Sequence, residues 1–105
     1  MAMLSDMTRV LPAEWRDVSA LFVALGDEQR QRILLTFEPE ERLNVTQIVA
    51  ASTLSRTAVS HHLKVLRQAG ALHSEKIGKE VYFWVARENI AEILQRVLEY
   101  VKNNT

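Results

Sequence analysis

Residues 54–70 read LSRTAVSHHLKVLRQAG, and the architecture of the chain follows from how this stretch is placed. Ser55 carries a hydroxyl suited to capping a helix N-terminus, and Gly70 is the residue type that commonly ends one. The spacing between them predicts a helix over roughly residues 56–69. At about 100° per residue, Ala58, Val59, His62, Leu63, Val65, Leu66 and Ala69 fall on one broad side. Thr57, Ser60, His61, Lys64 and Gln68 fall within roughly 60° of a common direction on the other. Consecutive helical residues point apart, so the adjacent histidines cannot easily chelate one ion together. His61 goes outward with Ser60 and Lys64. His62 goes inward as a hydrogen-bonded core or rim residue.

Upstream, Asn44 followed by Gln47 in NVTQIVAA has the spacing of a capping box and opens a short helix with Ile48 and Val49 inward. Joined to the next helix through STL, it makes a helix-turn-helix. Earlier still, Trp15, Val18, Phe22 and Leu25 recur at helical spacing over residues 13–25, and Gly26 ends that helix. Asp27 is the cap expected for EQRQRILLTF, which turns Ile33, Leu34 and Phe37 to one side and breaks at Pro39.

After Gly70 the period changes. Val81, Phe83 and Val85 alternate with Glu80, Tyr82 and Trp84, a strand pattern rich in β-branched and aromatic residues. Gly78 separates two short extended runs, so the segment reads as a β-hairpin, with His73 at the surface or a strand end. Ile90, Ile93, Leu94, Val97, Leu98 and Val101 then form a wide apolar stripe on a last helix over roughly 88–102. The predicted order is helix, helix, helix, helix, strand, strand, helix. This is a mainly α protein with a small β-hairpin, a winged helix-turn-helix, in which an N-terminal arm (1–12) precedes one domain (13–105).

A chain of 105 residues is the size of one domain. It has no apolar run of the ~18 residues that span a membrane, and its start lacks the pattern of a secretory signal, so it is expected in the cytoplasm. Zero cysteines exclude disulfides, thiolate ligands, redox-sensing thiols and cysteine nucleophiles. There is no Gly-rich phosphate loop, no nucleophile elbow and no spare His with carboxylate and serine partners, so no enzyme is expected. The formal net charge is zero, yet charge is unevenly placed. Residues 55–79 hold Arg56, Lys64, Arg67, Lys76 and Lys79 against Glu75, a local +4 that the remainder balances at −4.

The outward side of the 56–69 helix holds hydrogen-bonding and cationic groups and no carboxylate, where a generic solvated face mixes acids with bases. That composition suits the major groove. Thr57, Ser60, His61, Lys64 and Gln68 can address base edges or phosphates, while Arg56 and Arg67 flank them within reach of the backbone. Lys76 and Lys79, around Gly78, are placed to grip a neighbouring phosphate from the wing or to enter the minor groove.

The segments VALGDEQRQRIL, LNVTQIVAASTLSRTAVSHHLKVLRQAGAL and IGKEVYFWV together resemble the arsenical-resistance-repressor (ArsR/SmtB) family of winged-helix bacterial regulators, over about residues 20–86. The resemblance implies a repressor that binds an imperfect inverted repeat in operator DNA as a homodimer. Its first and last helices would form the interface, through Trp15, Val18 and Phe22 and through Ile90, Ile93, Leu94, Val97, Leu98 and Val101. Many such relatives release DNA on binding a metal. One common site is a Cys-x-Cys on the third helix, at positions that Asn44 and Thr46 occupy here. Another uses Asp and His on the last helix, where residues 87–102 hold no His and only Glu88, Glu92 and Glu99 as carboxylates. Neither set suits a soft ion, so no metal and no cofactor is expected, and the effector has no name. Met1, Met3 and Met7 in the arm carry thioethers that can bind soft ions, but they read as packing or as an accident of sequence. The competing reading is a winged-helix module for protein–protein contact, against which the acid-free basic face argues. Single-strand or RNA binding would favour exposed aromatics beside the basic groups.

Overall fold

A computed structural model describes residues 10–105. Most of the expected arm, including its three methionines, lies outside the described residues. A 3₁₀ turn at Ala13–Trp15 leads into α1 (Arg16–Leu25), followed by α2 (Glu28–Thr36), β1 (Leu43–Asn44), α3 (Val45–Ala50) and α4 (Arg56–Gln68). The wing, β2 (Leu72–Ile77) and β3 (Glu80–Val85), precedes a long α5 (Arg87–Asn104).

Each helix start in the middle of the chain carries the cap its sequence announces. The Asp27 carboxylate accepts from the amides of Gln29 (2.8 Å) and Arg30 (3.2 Å). Asn44 and Gln47 complete a reciprocal capping box at 2.9 Å each way. Ser55 Oγ accepts from the Ala58 amide at 3.1 Å. These bonds satisfy amide donors that the first helical turn leaves free. At the far end of α4 the amide of Ala71 donates to the Leu66 carbonyl (2.9 Å) and that of Gly70 to Arg67 (3.1 Å), the Schellman pattern. Gly70 makes it possible with φ +80°.

The sheet corrects the expected order. It has three strands, not two, arranged β1-β3-β2. Leu43 pairs with Phe83 and Asn44 with Tyr82, all antiparallel. A strand of two residues has no alternation to read, and its partner lies some forty positions away. The wing itself runs from Leu72↔Val85 to Ile77↔Glu80. Gly78, at φ +64°, takes the first place of a two-residue turn that calls for positive φ. Alternation along β3 is weaker than its sequence suggests. Phe83 is buried, but Val81 is exposed because the wing extends beyond the core.

The core gathers Leu21, Ile33, Ile48, Val59, Leu63, Leu66, Leu72 and Ile93, so every helix and the base of the wing contribute. Helix α4 lies in the middle of it, with Val59, Leu63 and Leu66 essentially inaccessible. Among the described residues no helix is long and apolar enough to cross a membrane.

Candidate nucleic-acid interface

Burying Val59, Leu63 and Leu66 fixes which way the rest of α4 points. Thr57, Ser60, His61, Lys64, Arg67 and Gln68 are all exposed, as is Arg56 in the first turn. The Arg56 guanidinium donates to Thr46 Oγ1 on α3 at 3.0 Å, which ties the two helices of the motif and orients the cation. Lys76 and Lys79 are exposed on the wing around Gly78. Glu75, the one carboxylate in the basic stretch, is paired with Arg42 at 3.2 Å. Glu80, paired in register with Ile77, adds a carboxylate beside the wing tip that the helix face lacks.

The two histidines separate. Their rings lie 5.7 Å apart and tilted by 55°, His61 exposed and His62 half-buried. His62 Nδ1 is 3.3 Å from a guanidinium nitrogen of Arg30. Arginine has donors only, so in this contact Nδ1 is the accepting atom. His73, on β2 opposite Trp84, is exposed with its ring 5.7 Å from the indole.

Sequence reasoning missed two arginines that brace this surface. Arg42 stacks over the Trp84 ring at 3.8 Å while bonding Glu75, and so holds the outer side of the sheet together. Arg30 joins α2 to both α1 and α4. Trp84 and Glu75 lie far from Arg42 in sequence, and His62 lies far from Arg30, so no local signal marks these contacts.

Of the residues assigned to a dimer seam, Val18 and Ile93 lie in the protomer's own core, and Trp15, Ile90 and Val97 are half-buried against it. Phe22, Leu94, Leu98 and Val101 are exposed, with Val101 at 52%. Trp15 meets Tyr100 edge to face at 5.2 Å. Arg96 lashes α5 to α1, donating to the Glu14 carbonyl (2.9 Å) and pairing with the Asp17 carboxylate. The hydrogen bond from Arg96 holds that carboxyl below its usual range.

Asn44 and Thr46, at the positions of the expected Cys-x-Cys, are engaged as an N-cap and as the Arg56 partner. Their amide and hydroxyl groups do not fit a soft ion. Among the described residues no three His, Cys, Asp or Glu side chains converge as metal ligands.

Residues 27–74 match the model of the bacterial regulatory protein, arsR family, a span that covers the cap of α2, the helix-turn-helix and the start of the wing. The chain belongs to the ArsR family. The cadmium resistance transcriptional regulatory protein CadC of Listeria innocua is 33% identical over 78 residues, which cover 74% of this chain and 66% of that one. This ArsR-family chain thus spans about two thirds of that curated relative's length. Among solved structures, an ArsR-like transcriptional regulator from Rhodococcus superposes with a TM-score of 0.76 at 24% identity, covering 87% of this chain and 84% of that one. A possible ArsR-family regulator of Mycobacterium bovis, described as a homodimeric winged helix-turn-helix DNA-binding domain, gives 0.69 at 24% identity over 99% and 93%. These likenesses establish the winged-helix fold, and the named relatives are regulators, not enzymes.

Proposed function

We propose that this ArsR-family chain is a cytoplasmic, homodimeric repressor that binds double-stranded operator DNA with an imperfect inverted repeat. It acts without the Cys/His metal sites of many relatives. The observation that carries this reading is the exposed, carboxylate-free side of α4, seated on a buried apolar side that keeps it facing outward. Ser60, His61 and Lys64 are offered to base edges and phosphates, with Arg56, Thr57, Arg67 and Gln68 around them. Lys76 and Lys79 reach a flanking phosphate from the wing. Two such helices in a dimer address half-sites about one helical turn, ~10 bp, apart.

Selecting bound fragments from the genomic DNA of the source organism tests the reading, and the genes beside them point to the signal. Recovery of no duplex above background would leave the protein–protein module as the better account. With the selected operator in hand, Lys64→Ala is expected to weaken binding and to reduce the slope of log affinity against log salt by about one, as the loss of one phosphate contact requires. An unchanged slope and affinity would remove Lys64 from the interface. Cadmium or zinc at micromolar concentration is expected to leave operator affinity within about twofold, since soft sites need Cys or His. Release of the DNA by either ion would show a metal site outside the two tested positions.

A further inference from the structure

Arg30, on α2, makes polar contacts with both α1 and α4. Its side chain is 13% exposed. Nε donates to the Ala24 carbonyl at 2.6 Å and one terminal nitrogen to the Val23 carbonyl at 3.3 Å, both in the last turn of α1. Those carbonyls lie at the negative end of that helix, where Val23 also accepts from the Gly26 amide at 3.2 Å. The other terminal nitrogen faces His62 Nδ1 at 3.3 Å and lies 3.8 Å from Asp27 Oδ2. His62 is the seventh of thirteen residues in α4, near its midpoint. It is the one polar side chain on a side otherwise made of Ala58, Val59, Leu63, Val65 and Leu66.

Apolar packing is non-directional, so the contacts of Val59, Leu63 and Leu66 hold α4 in the core but permit small rotations about its axis. A hydrogen bond from a planar guanidinium fork is directional. Because the same fork is anchored on α1, it relates the azimuth of α4 to the helix that carries Phe22 on the apolar seam. We propose that the Arg30–His62 contact positions the two recognition helices of the dimer, and that it thereby sets the half-site spacing the protein accepts. This rests on the dimeric DNA-binding reading above. Neither residue need touch DNA.

The test uses the operator fragment selected with the wild-type protein, and duplexes with one base pair inserted or removed at its centre. Wild-type binding should fall about tenfold or more on either change, since half-sites shift in phase as well as distance. His62→Leu keeps the bulk and removes the acceptor. It should lose about tenfold at the native spacing, the size of one charge-assisted hydrogen bond, and bind the three spacings within about threefold of each other. His62→Gln restores an acceptor and should restore the wild-type preference. Arg30→Lys keeps the cation without the fork, and should relax spacing as His62→Leu does should the latter fold poorly. Equal loss at all three spacings, or wild-type preference in both His62→Leu and Arg30→Lys, would overturn the inference while leaving the DNA-binding reading intact. Failure of the wild-type protein to bind any duplex would overturn both.

Discussion

Leu98→Glu is expected to leave a folded protomer that sediments as a monomer at micromolar concentration and binds operator DNA on the order of a hundredfold more weakly, the gain that a second linked half-site commonly supplies. The reason lies in where the last helix divides. Ile93 is buried within the protomer, whereas Leu98 keeps 45% of its surface exposed beside Leu94 at 43% and Phe22 at 47%. A carboxylate at position 98 therefore stays hydrated in the isolated protomer and disturbs its core little. In a dimer packed through this face it would be buried without a partner, at a cost of several kcal/mol. Leu94→Glu should behave in the same way. Sedimentation, circular dichroism and DNA titration together decide the matter. A variant that still sediments as a dimer would place the interface elsewhere, and one that loses its helical signal would mean that position 98 supports the fold.

The second large effect is on stability. Gly70→Ala is expected to lower it by about 2–3 kcal/mol, summing the strain of a left-handed alanine and the loss of one neighbouring hydrogen bond. Gly70 holds φ +80°, and an added Cβ would come within 2.5 Å of the Asn89 amide nitrogen. That nitrogen donates to the Gly70 carbonyl at 2.8 Å, the bond by which the first turn of α5 grips the end of α4. The alanine must therefore distort the Schellman turn and push Asn89 away together. For a domain of this size the midpoint of thermal unfolding should fall by roughly 10–20 °C. Gly78→Ala is the control. It has φ +64° with nothing within 4 Å of the added carbon, so it loses only the backbone preference. Equal melting of the two variants would show that the contact with Asn89 contributes nothing.

Much of the fold was legible because its signals are local. Asp27, Asn44 with Gln47, Ser55 and Gly70 act on backbone groups within four or five residues of themselves, so their types in order announce where helices start and stop. The two sides of α4 follow from the helical repeat in the same way, and the candidate DNA-facing residues are the ones that repeat turns outward. The divergence of His61 and His62 needed nothing more than consecutive positions on one helix.

What only the tertiary structure decided involves partners far apart in the chain. The pairing of Leu43 with Phe83 made a third strand that two residues could not announce. Arg42 found Trp84 and Glu75, and Arg30 found His62, across loops that carry no pattern. The stripe of the last helix was plain in sequence, but its division into Ile93 facing the core and Leu94, Leu98 and Val101 facing outward was not. Periodicity reports that a side is apolar. Which part of that side meets its own core depends on the width of the elements packed against it, a property of the assembled chain and not of any one segment.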